Sequence, residues 1–293
     1  MKKKRNTRRR DSGPLAAANR ISLLILILSL AAVYCITALR MTGTLTPTME
    51  LIDGHAAVRF IDVGQGDCTL VTHRGHAVLI DAGSAWCAYE TADTVSAFAP
   101  KIDAFFVTHP HEDHMGGAAA ILRSCRVKRL YLSEAVTHEE FYETALGEAK
   151  RRGTEIVRLT EGAEFLFGDI RAEVYDTFSY PYEDLNDASL VLRISVDGMS
   201  LFAAGDAERG LEEYLSAKGY DISAGIYHAN HHGSSSSTTE ALLDRIAPSL
   251  AVISCGKNNP YGHPSRLVLD RFEARGIPVR RTDLEGTVTV RGK

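Results

Sequence analysis

Thr108-His109-Pro110-His111-Glu112-Asp113-His114, with IDAFFV (102–107) before it and Met115-Gly116-Gly117 after it, decides the fold of this 293-residue chain. IDAFFV is a short, continuous apolar run of the kind that forms a strand buried on both faces. The polar heptad begins where that strand ends, and the glycine pair opens the small-residue helix GGAAAILRSC (116–125). In extended chain, residues two apart point the same way, so His109 and His111 can grip one metal ion. Asp113 and His114 fall where the chain turns into the helix and can face a second ion nearby. Imidazole and carboxylate are the ligands zinc takes in catalytic sites, where one position stays open for water. With 11 histidines in 293 residues, HxHxDH arises by chance in roughly one such chain in a thousand.

Three further clusters follow apolar strands. Asp206 ends LFAAGD (201–206); by itself it reads equally well as the cap of a helix over 207–217 or as a carboxylate bridging two ions. Tyr227-His228-Ala229-Asn230-His231-His232-Gly233-Ser234 holds three histidines in five positions. Asn258-Asn259-Pro260-Tyr261-Gly262-His263-Pro264 sets one more histidine in a tight turn. All lie just beyond strands, where α/β sheets present their functional loops.

The rest of the body alternates in the same way. AVRFIDV (57–63), CTLVTH (68–73) and HAVLIDA (76–82) read as strands separated by glycine turns. Helices are expected over 89–98, 138–152, 207–217, 238–246 and 265–275. RVKRLYL (126–132), EIVRL, EFLF, IRAEVY, 224–228, LAVISCG (250–256), VRRTD and TVTVRG read as strands. SLVLRISVDGMSLFAAGD (189–206) is a hairpin turning at Asp197-Gly198. No period of 20–50 residues repeats. The class is α/β, with two sheets packed together and helices outside.

The amino terminus differs in kind. Residues 21–39, ISLLILILSLAAVYCITAL, carry no charge over 19 positions, nearly enough to span a bilayer. Eight basic residues and Asp11 fill 1–20. The expected arrangement is a basic cytoplasmic tail (1–20), an uncleaved single-pass anchor (21–39), a linker (40–54) and one domain outside the cell (55–293). Taking those eight, Arg40 and Asp11 from the totals of 33 Lys+Arg and 37 Asp+Glu leaves 24 bases and 36 acids, or -12, in 41–293. An acidic body of this kind argues against tight, non-specific binding of nucleic acid. Arg151-Arg152 and Arg280-Arg281 are the candidates for a local basic patch. The five cysteines show no CxxC pair, so neither a thiolate metal site nor a structural disulfide is expected.

The motifs together resemble the metallo-β-lactamase superfamily, and within it the extracellular hydrolase-like domain of ComEC-type competence proteins and related surface phosphodiesterases. The resemblance runs through FIDVGQGD (60–67), LIDAG (79–83), VTHPHEDHMGG (107–117), NDASLVLRI (186–194), LFAAGD (201–206), HHGSSSS (231–237), ISCGKNNPYGHP (253–264) and RTDLEG (281–286). It implies an αββα sandwich with two divalent ions, zinc first and manganese as the alternative. Carried over by position, His109 and His111 bind the first metal, Asp113 and His114 the second, and Asp206 bridges. Asp81 resembles the superfamily's Asp that supports a ligand histidine, and reads equally as a turn residue before Gly83. Asp67 is a second supporting candidate. The superfamily's usual histidine before the bridging Asp has no counterpart; Asn186 stands in roughly that place. The remaining ligand must then come from His231, His232 or His263, with His231 first and His263 next. Whichever of His232 and His263 is not a ligand is the general acid. Ser234 and the serines after it are candidate phosphate donors. The expected substrate is a phosphodiester, in nucleic acid or a smaller phosphoester; the rivals are a lactam or other ester and a non-catalytic metal-bound surface module.

Overall fold

A computed structural model describes residues 29–30 and 54–292. The chain divides into two compact units, Met1–Leu45 and Thr46–Lys293. In the first, only Ser29 and Leu30 are described, as helix; the rest of the expected anchor, and most of the linker, lie outside the described residues. Among those described, no helix is long and apolar enough to cross a membrane.

The second unit holds two seven-stranded sheets. β1 (Ala57–Phe60), β2 (Thr69–His73), β3 (His76–Ile80), β4 (Lys101–Val107), β5 (Arg126–Leu132) and β6 (Glu155–Arg158) join the final strand, β14 (Val288–Arg291), in the order β14-β1-β2-β3-β4-β5-β6. β7 (Ala163–Phe167), β8 (Ile170–Val174), β9 (Leu192–Val196), β10 (Met199–Ala203), β11 (Ile226–His228), β12 (Leu250–Ile253) and β13 (Val279–Arg281) form the second sheet in chain order. Each sheet runs antiparallel through its first four strands and parallel through its last four. The two halves of the body thus repeat one strand topology.

Helices α1 (Ala88–Phe98), α2 (Glu112–Met115), α3 (Ala118–Ser124) and α4 (Glu140–Arg152) belong to the first half; α5 (Arg209–Ala217), α6 (Glu240–Ile246), α7 (Arg266–Ala274) and α8 (Thr282–Glu285) belong to the second. The side-chain alternation of each strand sorts its residues into layers. On β4, Phe105 and Val107 pack with α1, α3 and α4, while Ala104 and Phe106 pack against the other sheet. On β10, Leu201 and Ala203 face that same inter-sheet core, and Phe202 faces α5 and α6. Three apolar layers therefore separate four structural ones, the expected αββα sandwich. Parallel strands covered on both faces explain why IDAFFV is apolar throughout.

The elements depart from the sequence reading chiefly at strand and helix ends near the clustered histidines. The helix expected over 116–125 spans Ala118–Ser124, and a separate short helix, Glu112–Met115, precedes it across Gly116-Gly117. The helix expected from 207 begins at Arg209, because Asp187 Oδ1 accepts the Glu208 N–H at 2.8 Å and holds that residue extended. The strand expected to reach 256 stops at Ile253. The hairpin turns at Asp197 and Gly198, both with positive φ (48° and 75°), as a tight two-residue turn requires. The described cysteines, Cys68, Cys87, Cys125 and Cys255, are free.

Candidate metal centre

The parallel strands of both sheets end on one edge, and the chain leaving them builds the site. Beyond β3, Asp81 still pairs in the sheet, its N–H donating to Phe106 O at 2.8 Å. From the end of β4, Thr108 donates its N–H to Asp81 Oδ1 and its hydroxyl to Oδ2, both at 2.8 Å. His109, His111, Asp113 and His114 follow. From the second sheet come Asp206 after β10, His231 and His232 after β11, and His263 beyond β12.

Two groups of potential ligand atoms converge and share one carboxylate. His109, His111 and Asp206 form the first; Asp113, His114, Asp206 and His232 form the second, with all ligand atoms of each group within 4.8 Å of one another. Asp206 divides its oxygens between them. Oδ2 lies 3.9 Å from His109 Nε2 and 3.7 Å from His231 Nε2. Oδ1 lies 3.1 Å from His114 Nε2 and 3.6 Å from His232 Nε2. His109 Nε2 and His111 Nδ1 converge at 2.9 Å, and His232 Nε2 reaches Asp113 Oδ2 at 3.2 Å.

The outer nitrogens are held from behind, as ligand histidines usually are. His114 Nδ1 meets Asp81 Oδ2 at 2.9 Å. His109 Nδ1 lies 3.2 Å from both Thr108 Oγ1 and Ser189 Oγ, and Ser189 Oγ also accepts the Asp206 N–H at 3.2 Å. His232 Nδ1 lies 3.1 Å from Ser254 O and 3.2 Å from Asp67 Oδ1. His231 Nδ1 lies 3.1 Å from Glu208 Oε1. These contacts leave the inner nitrogens facing the shared carboxylate.

The backbone is shaped for this convergence. Gly205 has φ +51°, and a Cβ there would come within 2.6 Å of Thr108 Oγ1; only glycine fits before Asp206. His231 and His232 both adopt left-handed backbone (φ 49° and 54°), which costs on the order of 1–3 kcal/mol per residue and is found where surroundings enforce it. Here the enforcement is visible. Glu212, 2% exposed, accepts from Asn230 Nδ2 (2.9 Å), Thr238 N (2.6 Å) and Thr239 N (2.8 Å). His231 N donates to Gly205 O at 3.0 Å. The two consecutive rings then reach opposite oxygens of Asp206.

Electrostatics fit a cation cage. Burial opposes ionisation of Asp206, but the imidazoles of His114, His232 and His109 hold its carboxyl well below the usual range. Burial also opposes protonation of His114, yet Asp206, Asp81 and Asp113 draw a proton there and raise it well above an ordinary histidine. His263 is pushed down to about 4 by burial and by its His232 and His231 neighbours, so it is neutral at neutral pH. His114 Nε2 and Asp206 Oδ1 are buried and make no aligned hydrogen bond. Inward-facing nitrogen and oxygen atoms with nothing to bond are costly; a pair of divalent ions satisfies them.

Each residue named from the sequence can now be located. His109, His111, Asp113, His114, Asp206, His231 and His232 converge, Asp81 and Asp67 stand behind them, and His263 lies with its ring 5.5 Å from that of His231. His232 sits within the second ligand group rather than at a distance suited to a separate acid, because the turn at 231–232 swings it toward Asp113. Asp206 does not cap the following helix, whose first residue is preceded by Glu208. The Asn186 side chain reaches Glu208, at 3.5 Å, rather than a ligand atom. Ser234 bonds Ser236 (2.9 Å), which bonds Glu208 (2.9 Å), and Ser237 bonds Asn230 O (2.8 Å); these hydroxyls brace the loop. Of the candidate basic patches, Arg151, Arg280 and Arg281 are engaged with Glu148, Glu285 and Asp283, and Arg152 is exposed. The supporting roles of Thr108, Ser189, Glu208, Glu212 and Ser254 escaped the sequence reading. Thr108, Ser189 and Ser254 lie within the stretches VTHPHEDHMGG, NDASLVLRI and ISCGKNNPYGHP that carry the resemblance, which is the signal that hints at them.

A sequence profile of the metallo-beta-lactamase superfamily matches residues 61–257. ComE operon protein 3 of Bacillus subtilis (strain 168) is 30% identical over 300 residues, covering 92% of this chain and 38% of that protein. Recombination protein 2 of Haemophilus influenzae is 26% identical over 284 residues, covering 95% of this chain and 33% of that protein. This chain thus spans well under half the length of these curated relatives. The crystal structure of CmlA, a diiron β-hydroxylase from Streptomyces venezuelae, superposes with a TM-score of 0.54 at 15% identity over 80% of this chain and 54% of that one. That likeness concerns the fold, one that holds divalent metal ions, typically two. The profile match, the αββα sandwich and the paired ligand groups agree: this chain belongs to the metallo-beta-lactamase superfamily and is similar to the competence proteins named above.

Proposed function

We propose that this chain is a two-metal hydrolase of phosphodiester bonds, in nucleic acid or a smaller phosphoester, anchored by residues 21–39 with its body outside the cell. One observation carries the catalytic part: the two oxygens of Asp206 face two separate groups of histidine and carboxylate ligands. His109, His111 and His231 would hold one ion and Asp113, His114 and His232 the other, with Asp206 available to both. Zinc is the first choice and manganese the second. When bound, the two ions acidify a water and clamp the scissile phosphoryl group.

The chain's own residues do the rest. Asp81, Ser189 and Glu208 fix ring orientation. The neutral imidazole of His263 accepts a proton from the attacking water and, as the imidazolium so formed, passes it to the leaving oxygen. The similarity to competence proteins favours a phosphodiester over a lactam. The charge-free run at 21–39 with its basic flank supports the anchor.

Purified full-length chain, loaded with zinc or manganese, should hydrolyse bis-p-nitrophenyl phosphate and leave a chromogenic cephalosporin intact. Rapid cephalosporin turnover without diester cleavage would overturn the reading, and metal-loaded protein that turns over nothing would point to a binding module. Protease added to intact cells should digest the body; a processed product beginning near residue 40 would contradict the anchor.

A further inference from the structure

Beside the metal centre lies a groove of about 790 Å³ that none of the steps above uses. Its rim carries Trp86, the chain's single tryptophan, which is 96% exposed. Gln65, Lys257 and Asn258 line it as well. Both walls are continuous with the site. Two residues beyond Gln65, Asp67 donates its N–H to Asp113 O at 3.1 Å. On the other wall, the Asn259 side chain donates to His263 O (2.6 Å) and accepts the His263 N–H (3.0 Å). Gln65 Oε1 accepts the Gly256 N–H at 3.1 Å and ties the walls together.

Trp86 is held by the metal motif itself. Glu112, the residue of HxHxDH given no other role, accepts from Ser84 Oγ (2.9 Å) and Ala85 N (2.7 Å). Ser84 Oγ in turn accepts the Trp86 N–H at 3.1 Å. Gly116 has no side chain because a Cβ there would come within 2.3 Å of Ala85 N and 2.8 Å of Glu112 Oε1. An isolated exposed apolar side chain ordinarily needs no explanation. A lone tryptophan whose backbone is tied through Ser84 to the residue between His111 and Asp113 is a different case.

We propose that this groove is a subsite for a planar ring of the substrate, a nucleobase next to the scissile phosphate, with Trp86 as its stacking platform and Glu112 as the positioning residue. The proposal rests on the phosphodiester reading. The charges of Asp62, Lys257 and the Asp283–Arg281 pair balance, so the groove does not repel an anionic substrate. Asp283 is neutralised by Arg281 (2.7 Å) and Asp62 Oδ1 accepts the Gly64 N–H (3.1 Å), while the exposed Lys257 makes no ion pair among the described residues. A body of net negative charge gains little from phosphates alone, so ring stacking supplies the affinity that charge does not.

The test uses full-length, metal-loaded protein and two cleavage-resistant phosphorothioate hexamers, one of thymidine and one abasic. Thymidine hexamer should quench the tryptophan emission and the abasic one should not. With fluorescein-labelled hexamers, Trp86→Leu should weaken thymidine-hexamer binding by about tenfold, the worth of one stacked base, and shift abasic binding less than twofold. Equal quenching by both hexamers, or unchanged thymidine affinity in Trp86→Leu, overturns the subsite while leaving the phosphodiester reading in place. Failure to bind either hexamer or to cleave their phosphate-linked counterparts overturns both.

Discussion

Asp81 Oδ2 lies 2.9 Å from His114 Nδ1, and His114 Nε2 on the far side of the same ring lies 3.1 Å from Asp206 Oδ1. The buried carboxylate therefore decides which ring nitrogen faces the shared ligand. Asp81→Asn should keep the fold and weaken metal binding by about 10–100-fold, the usual effect of losing such a partner. Competition with a chromogenic zinc chelator measures it; unchanged affinity would remove Asp81 from the account.

His232 and His263 are expected to part company on substitution. His232→Ala should release the metal held with Asp113 and His114, whereas His263→Ala should keep both metals and lower kcat by about 10²–10⁴-fold, the range for general acid–base groups. Elemental analysis beside steady-state kinetics separates the two. A His232→Ala protein with full metal content and reduced turnover would restore it as the proton donor.

Glu212 is expected to matter for stability without touching substrate. Glu212→Ala leaves the N–H groups of Thr238 and Thr239 and the Asn230 amide without their buried acceptor. The loss should be on the order of 3 kcal/mol, read from denaturant unfolding. A midpoint within error of the parent would show that the left-handed turn at His231 and His232 is braced elsewhere.

Asp103 predicts an acid-side effect. Its burial opposes ionisation, but Lys128, the Ala77 N–H (3.2 Å) and His76 (3.0 Å) outweigh that and hold the carboxyl below its ordinary value. A depressed carboxyl stabilises the fold above its unfolded-state pKa, and that contribution disappears as pH falls through the folded-state value. Asp103→Asn should therefore destabilise at neutral pH and converge with the parent in acid. A constant difference between the two unfolding midpoints from pH 7 to pH 3 would contradict this.

The framework was legible because its signals are local. IDAFFV, RVKRLYL and the Asp197-Gly198 hairpin declare themselves by apolar runs and turn residues, and HxHxDH is contiguous. What sequence withheld depends on contacts between distant positions. His232 meets Asp113 across 119 residues, Ser189 meets His109 across 80, and nothing near either histidine announces its partner. The left-handed turn that sends His231 and His232 to opposite oxygens of Asp206 is set by Glu212, one helix away. In sequence Asp206 reads equally as a cap; in the fold Glu208 takes that place.

The central claim is a pair of ions joined through Asp206. Elemental analysis of purified full-length chain, before and after Asp206→Ala, tests it most directly. The account predicts two divalent ions per chain in the parent and fewer than one in the variant. A parent that binds a single ion under saturating metal, or an Asp206→Ala protein that retains both, would contradict it.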